Sequence, residues 1–275
     1  MPLFNLKASN RLLIQILSLM GKNKSFIILP LFSFIVTFLC FILLGYIIEL
    51  STRINQQYLN PPHYYWYLEL ASFLILVTAI VGINTFTNAL LVYMAYFKLC
   101  KKPISFAKAL KQCWVQRAAL LSWGIFYTCA GFILTLLERT GNFNRIIFTT
   151  ANVSWHICAF LIMPFIVIEK LSPSLAFEKS RQYFSQSAIL QVNILLLLSL
   201  YLLPVIILIH FTPYFVPQEI MNDIWFYGLF SGILIWLVWG NSFNAVLKAA
   251  FYLKLNGQKE FFFLKKDDVD KIIKD

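Results

Sequence analysis

The sequence is poor in charge. Only 13% of its 275 residues are charged, and 12 of them are acidic. Soluble domains run near a quarter charged residues, so the composition already points away from a water-soluble chain. Cysteine is sparse too: five residues, at Cys40, Cys100, Cys113, Cys129 and Cys158, an odd number with no C-x-x-C pair. Cys40, Cys129 and Cys158 lie in apolar runs, and Cys100 and Cys113 flank a basic stretch. They read as small apolar or interfacial residues, and neither a disulfide framework nor a thiolate metal site is indicated. No P-loop, H-E-x-x-H, Ser-His-Asp order or paired carboxylates occur, which leaves no motif for nucleotide binding or hydrolysis. No cleavable signal peptide is evident, since the first apolar run begins at Ser25 and no small-residue cleavage site follows it.

Apolar residues fill the space: 60% of the chain is hydrophobic. Crossing a bilayer core of ~30 Å takes ~20 helical residues. Six runs are long enough: Ser25–Ile48, Tyr67–Leu99, Ala118–Leu137, Ile146–Ile168, Ala188–His210 and Trp225–Leu255. Only a helix satisfies its backbone within one segment, and none of these runs alternates as a barrel strand does. The fold class expected is an all-α membrane protein with six transmembrane helices. Residues 1–255 form the six-helix transmembrane domain with cytoplasmic interfacial helices, and 256–275 a charged cytoplasmic tail. With both termini inside, only Arg53, Arg139 and Arg145 of the 23 Lys and Arg fall outside. The positive-inside rule therefore selects that orientation. The net charge of +11 belongs to these flanking cations, so no nucleic-acid partner is expected.

A polar stripe precedes each outward span. Lys7, Arg11, Gln15, Ser18 and Lys22 share one face, and Leu12, Leu13, Ile16, Leu17, Leu19 and Met20 cover the rest. Before the third span, Lys108, Gln112 and Gln116 oppose Phe106, Leu110, Cys113 and Trp114. Before the fifth, Ser172 caps and Pro173 starts a helix whose Glu178, Arg181, Gln182 and Ser185 oppose Ala176, Ser180, Tyr183 and Phe184. Three interfacial helices in the same relative place read as three helix-hairpin repeats: interfacial helix, span out, short loop, span back. One echo supports this. Asn88-Ala89-Leu90-Leu91 corresponds to Asn244-Ala245-Val246-Leu247, and at the same offset Tyr96, Lys98 and Leu99 match Tyr252, Lys254 and Leu255.

Few residues could carry chemistry. His156 lies ~15 Å deep in the fourth span, and an ionisable group there is a functional candidate by default. The plainer reading is a neutral imidazole bonded to a neighbouring helix, at Asn84 or Asn152. Asn84, Asn88, Asn193, Asn241 and Asn244 are the other polar residues of the spans. Asn88 and Asn244, at the inner headgroup level, are expected to bond the interfacial helices to the bundle, or else to line a lipid-headgroup or solute site. Pro164 is a candidate kink in the fourth span, as is Pro204 in the fifth. His63 and His210 belong to the outer side, so no metal set assembles around His156. Tyr64, Tyr65, Trp66 and Trp225 suit interface anchors. Catalytic, cofactor and metal sites are not expected, and membrane lipids are the expected partners.

Phe86-x-Asn88-Ala89-Leu90, Trp123-Gly124, Trp155, Phe160, Pro164, Glu169, Pro173, Ala176 and Ser180 together resemble an uncharacterised family of bacterial six-helix integral membrane proteins, a domain of unknown function. The resemblance spans Leu6 to Leu255. Family members often carry Gly where this chain has Ser172. The resemblance implies a bacterial inner membrane location and no activity. The expectation is a non-enzymatic membrane scaffold or envelope factor. The alternative is a transporter or channel for a small solute or lipid, which would want charged residues lining the spans.

Overall fold

The computed structural model describes residues 14, 16–57, 64–139, 145–186, 188–189, 191–192 and 239–256. The fifth expected span beyond 192, the first part of the sixth, the amphipathic residues Lys7 and Arg11, and the tail from 257 lie outside the described residues. So do His63, Asn193, Pro204, His210 and Trp225.

All regular structure among the described residues is helical. In chain order it comprises α1 (residues 16–22), α2 (Ser25–Gln57), α3 (Tyr64–Leu99), α4 (Phe106–Val115), α5 (Arg117–Arg139), α6 (Arg145–Ala159), α7 (Ile162–Val167), α8 (Pro173–Gln182) and α9 (residues 239–255). Four stretches, Ser25–Ser51, Leu70–Leu99, Arg117–Arg139 and Ile146–Val167, are long and apolar enough to cross a membrane. They coincide with the first four expected spans. Their outward sides carry exposed large apolar side chains, among them Phe32, Phe38, Phe126 and Phe132. Water penalises such a surface, and acyl chains solvate it.

The core lies at one end of the bundle. The C-terminal part of α3 (89–95), the segment 159–167 that includes α7, and residues 245–253 of α9 are almost continuously buried there. The short helices close around them. Ile16, Leu19 and Met20 of α1, Ala109 and Cys113 of α4, and Ala176 and Ser180 of α8 are all buried. In α4 and α8 two small residues four apart form the inward face, which lets the helix axes approach closely. The expected inner face of α8, Ala176, Ser180, Tyr183 and Phe184, is the half-to-fully buried one. For α4 the division differs: Cys113 turns inward with Ala109, and Phe106, Leu110 and Trp114 are exposed. Bulky rings would hold the α4 axis away from the bundle, so the small residues take the contact.

Helix ends follow local chemistry. Ser105 is extended, and its hydroxyl accepts from the Lys108 amide at 3.3 Å, starting α4. Pro173 opens α8 at its first turn, where a missing N–H costs nothing. Ser172 occupies the cap position there, but its hydroxyl pairs with that of Ser174 at 3.2 Å and bonds no backbone amide. Two lysines take the left-handed conformation that usually ends a helix: Lys101 (φ 56°) after α3 and Lys170 (φ 61°) after α7. Behind Lys101 the amide of Lys102 returns to the Phe97 carbonyl at 2.9 Å, and that of Lys101 to Lys98 at 3.1 Å. That pair of bonds is a Schellman closure.

Candidate functional site

Prolines create the first polar demands inside the bundle. The fourth span is interrupted at residues 160–161, between α6 and α7. The cause is Pro164, four residues on, which gives no N–H to the Phe160 carbonyl and crowds it. The expected kink is therefore a break one turn before the proline. The disrupted turn also frees the Cys158 carbonyl, and the Ser180 hydroxyl of α8 donates to it. Pro30 lies inside α2 and cannot bond the Phe26 carbonyl. The buried Ser242 hydroxyl of α9 donates to that carbonyl. Two serines on packed small-residue faces thus satisfy carbonyls freed around two prolines, and neither pairing follows from sequence spacing.

Among the described residues, Asn84, His156 and Asn152 of the spans each pair separately. Asn84 accepts from Ser33 Oγ at 3.2 Å and donates to the Ile80 carbonyl at 3.0 Å and to Thr37 Oγ1 at 3.4 Å, joining α3 to α2. His156 bonds neither Asn84 nor Asn152. Its Nδ1 lies 2.7 Å from the Tyr127 hydroxyl of α5, with the ring exposed on the bundle surface. The reason is register: Tyr127 and Trp155 stack across α5 and α6 at 5.9 Å, which presents the phenol to the next residue. Asn152 donates instead to Glu138 Oε2 at 3.4 Å, and Thr149 donates to Glu138 Oε1 at 2.7 Å. Asn88 is half-buried and its Oδ1 has no hydrogen-bond partner. Asn244 is exposed on α9. Among the described residues, no amide bond joins Asn88 or Asn244 to the short helices.

At the core end an ion pair gathers three elements. Glu169, just past α7, accepts from Lys179 Nζ of α8 at 2.5 Å and from the Tyr252 hydroxyl of α9 at 3.1 Å. The Lys179 ammonium also lies 5.0 Å from the centroid of Phe165. Tyr252 meets Phe165 at 5.6 Å and Tyr96 at 5.9 Å, both edge-on. One turn back along α9, Lys248 is 8% exposed with Nζ 5.8 Å from the centroid of Phe160. Sequence reasoning missed this cluster. Glu169 and Lys179 are ten residues apart across a turn, and Lys248 reads as one more flanking cation.

The polar contacts among the described residues serve pairing and packing. Among the described residues, no three His, Cys, Asp or Glu side chains converge in a way that could hold a metal. Cys113 is held as an inert thiol, because burial in the α4 contact pushes it up to about 12. Comparison with models of known families, with curated proteins and with solved structures returned no match.

Proposed function

We propose that this chain is a six-span integral protein of a bacterial inner membrane, with both termini cytoplasmic, that acts as a non-enzymatic scaffold or envelope factor. The observation that carries this reading is the distribution of polar groups. Along the described spans the paired ones stand apart from one another, Asn84 with Ser33, Tyr127 with His156 and Glu138 with Thr149. An intramembrane catalyst needs several such groups at one depth, and a charged transport path needs them in line. The core end, which the positive-inside rule assigns to the cytoplasm, is filled with side chains of 0–9% exposure.

Three repeats fit the same reading. The buried inner segments 89–95, 159–167 and 245–253 would be the returning ends of three hairpins, each preceded by a short helix, α1, α4 or α8. Lys101 and Lys170 both turn left-handed just past such a segment. The offset that matches Asn88 to Asn244 carries Lys101 to Gly257, the residue type that takes positive φ most readily. This arrangement accords with the six-helix bacterial family that the sequence resembles.

The test is a phenotype of gene deletion followed by His156→Gln and Asn84→Ala. A scaffold keeps its function in both, since either change removes one replaceable helix contact. Loss of function with normal membrane levels would favour the transporter reading instead.

A further inference from the structure

Lys248 stands apart from the other cations. Its side chain is 8% exposed, and among the described residues its one interaction is with the face of Phe160, at 5.8 Å. Phe160 is itself buried at 6% exposure. Desolvating an ammonium is costly, and a phenyl face compensates only part of that. The nearby carboxylate is already engaged: Glu169 receives Lys179 and Tyr252, one helical turn beyond Lys248 on the same face of α9. Along that face, four residues in the other direction, Asn244 is exposed and offers two amide donors. The stripe Asn244, Lys248, Tyr252 therefore runs from an open neutral donor, through a lysine with no carboxylate partner among the described residues, to a closed ion pair. A buried lysine with no carboxylate partner among the described residues either gives up its proton or is completed by an anion from elsewhere, and the open donor beside it favours the second.

We propose that Lys248 and Asn244 form an anion site on α9 that takes a phosphate group, with Lys248 supplying the charge and Asn244 a hydrogen bond. Phosphate can reach it on an anionic phospholipid headgroup or as a free ion. The site does not depend on the scaffold reading. The proposed topology specifies only that the cytoplasmic leaflet would supply a lipid-borne phosphate.

Thermal unfolding of the full chain in a neutral detergent tests this, with phosphatidylglycerol, phosphatidylcholine or inorganic phosphate added. A ligand that binds only the folded state raises Tm, by about 4 °C or more near saturation. The expected result is such a rise with phosphatidylglycerol and little with phosphatidylcholine. A matching rise with inorganic phosphate assigns the site to the free ion, and its absence assigns it to the lipid-borne group. Lys248→Met should lose the rise, Lys248→Arg should retain it, and removal of an exposed cation, Lys102→Met, should leave it unchanged. No rise in the wild type with either anion overturns the proposal, whether or not Lys248→Met folds. So does an equal rise with phosphatidylcholine, or an unaltered rise in Lys248→Met.

Discussion

Ser242 and Ser180 show how single hydroxyls stabilise irregular membrane helices. Each donates to a backbone carbonyl that a proline-disturbed turn leaves open, Phe26 for Ser242 and Cys158 for Ser180. In an apolar medium an orphan carbonyl has no water to turn to. Ser242→Ala and Ser180→Ala should each destabilise the protein by about 1 kcal/mol, the scale of interhelix hydrogen bonds in membranes and of net hydrogen bonds generally. Pro30→Ala returns an amide to the Phe26 carbonyl, so the cost of Ser242→Ala should shrink in that background. A double-mutant cycle from unfolding in detergent measures the coupling, and strict additivity would mean that the serine and the proline act separately. Cys113 makes a second residue-scale prediction. Its thiol is shifted by burial from 9.0 to about 12, so the folded state resists its ionisation. Stability from this group is complete below pH 9 and is lost as pH rises towards 12. Stability measured from pH 8 to 11 should therefore fall more steeply in the wild type than in Cys113→Ala. Alkylation of Cys113 at pH 8 should also await unfolding.

Helices α3 and α5 approach where Gly124 faces Thr85. A methyl at Gly124 would overlap the Thr85 hydroxyl and lie 3.1 Å from Val81 Cγ1. Gly124→Ala should accordingly cost about 1–3 kcal/mol through overpacking. Thr85→Ala in the same chain should recover part of that loss, because it removes the atom that is struck. Thermal unfolding of the two variants and their combination checks this, and no recovery would place the strain elsewhere. At this scale much was legible beforehand. The first four spans lie within a few residues of their apolar runs, and Pro164 marks a kink there, which the structure makes a full break. The inner face of α4 was not legible, because Phe106, Leu110 and Trp114 share its apolar side with Cys113. Periodicity alone cannot say whether an apolar side chain meets protein or lipid.

For the whole molecule, orientation is the decisive prediction. Single cysteines placed in a chain whose native cysteines are replaced should react with an impermeant reagent from outside at Asn60 and Asn142. Lys102 should stay protected until the membrane is opened. The expectation rests on a cation distribution that puts all but Arg53, Arg139 and Arg145 on one side. The reverse labelling pattern would invert the topology. It would also turn the buried end of the bundle, with Glu169 and Lys179, towards the outside.

Sequence alone determined the solvent of this protein. Partition into a bilayer is close to a sum over the residues of a segment, so long apolar runs and flanking cations suffice to read it. Partner choice is not such a sum. That His156 meets Tyr127 and not Asn84, that Ser242 reaches Phe26, and that Lys248 is buried beside Phe160 depend on how separate helices are rotated and staggered. Those geometries arise from packing many side chains at once, and only the tertiary structure holds them.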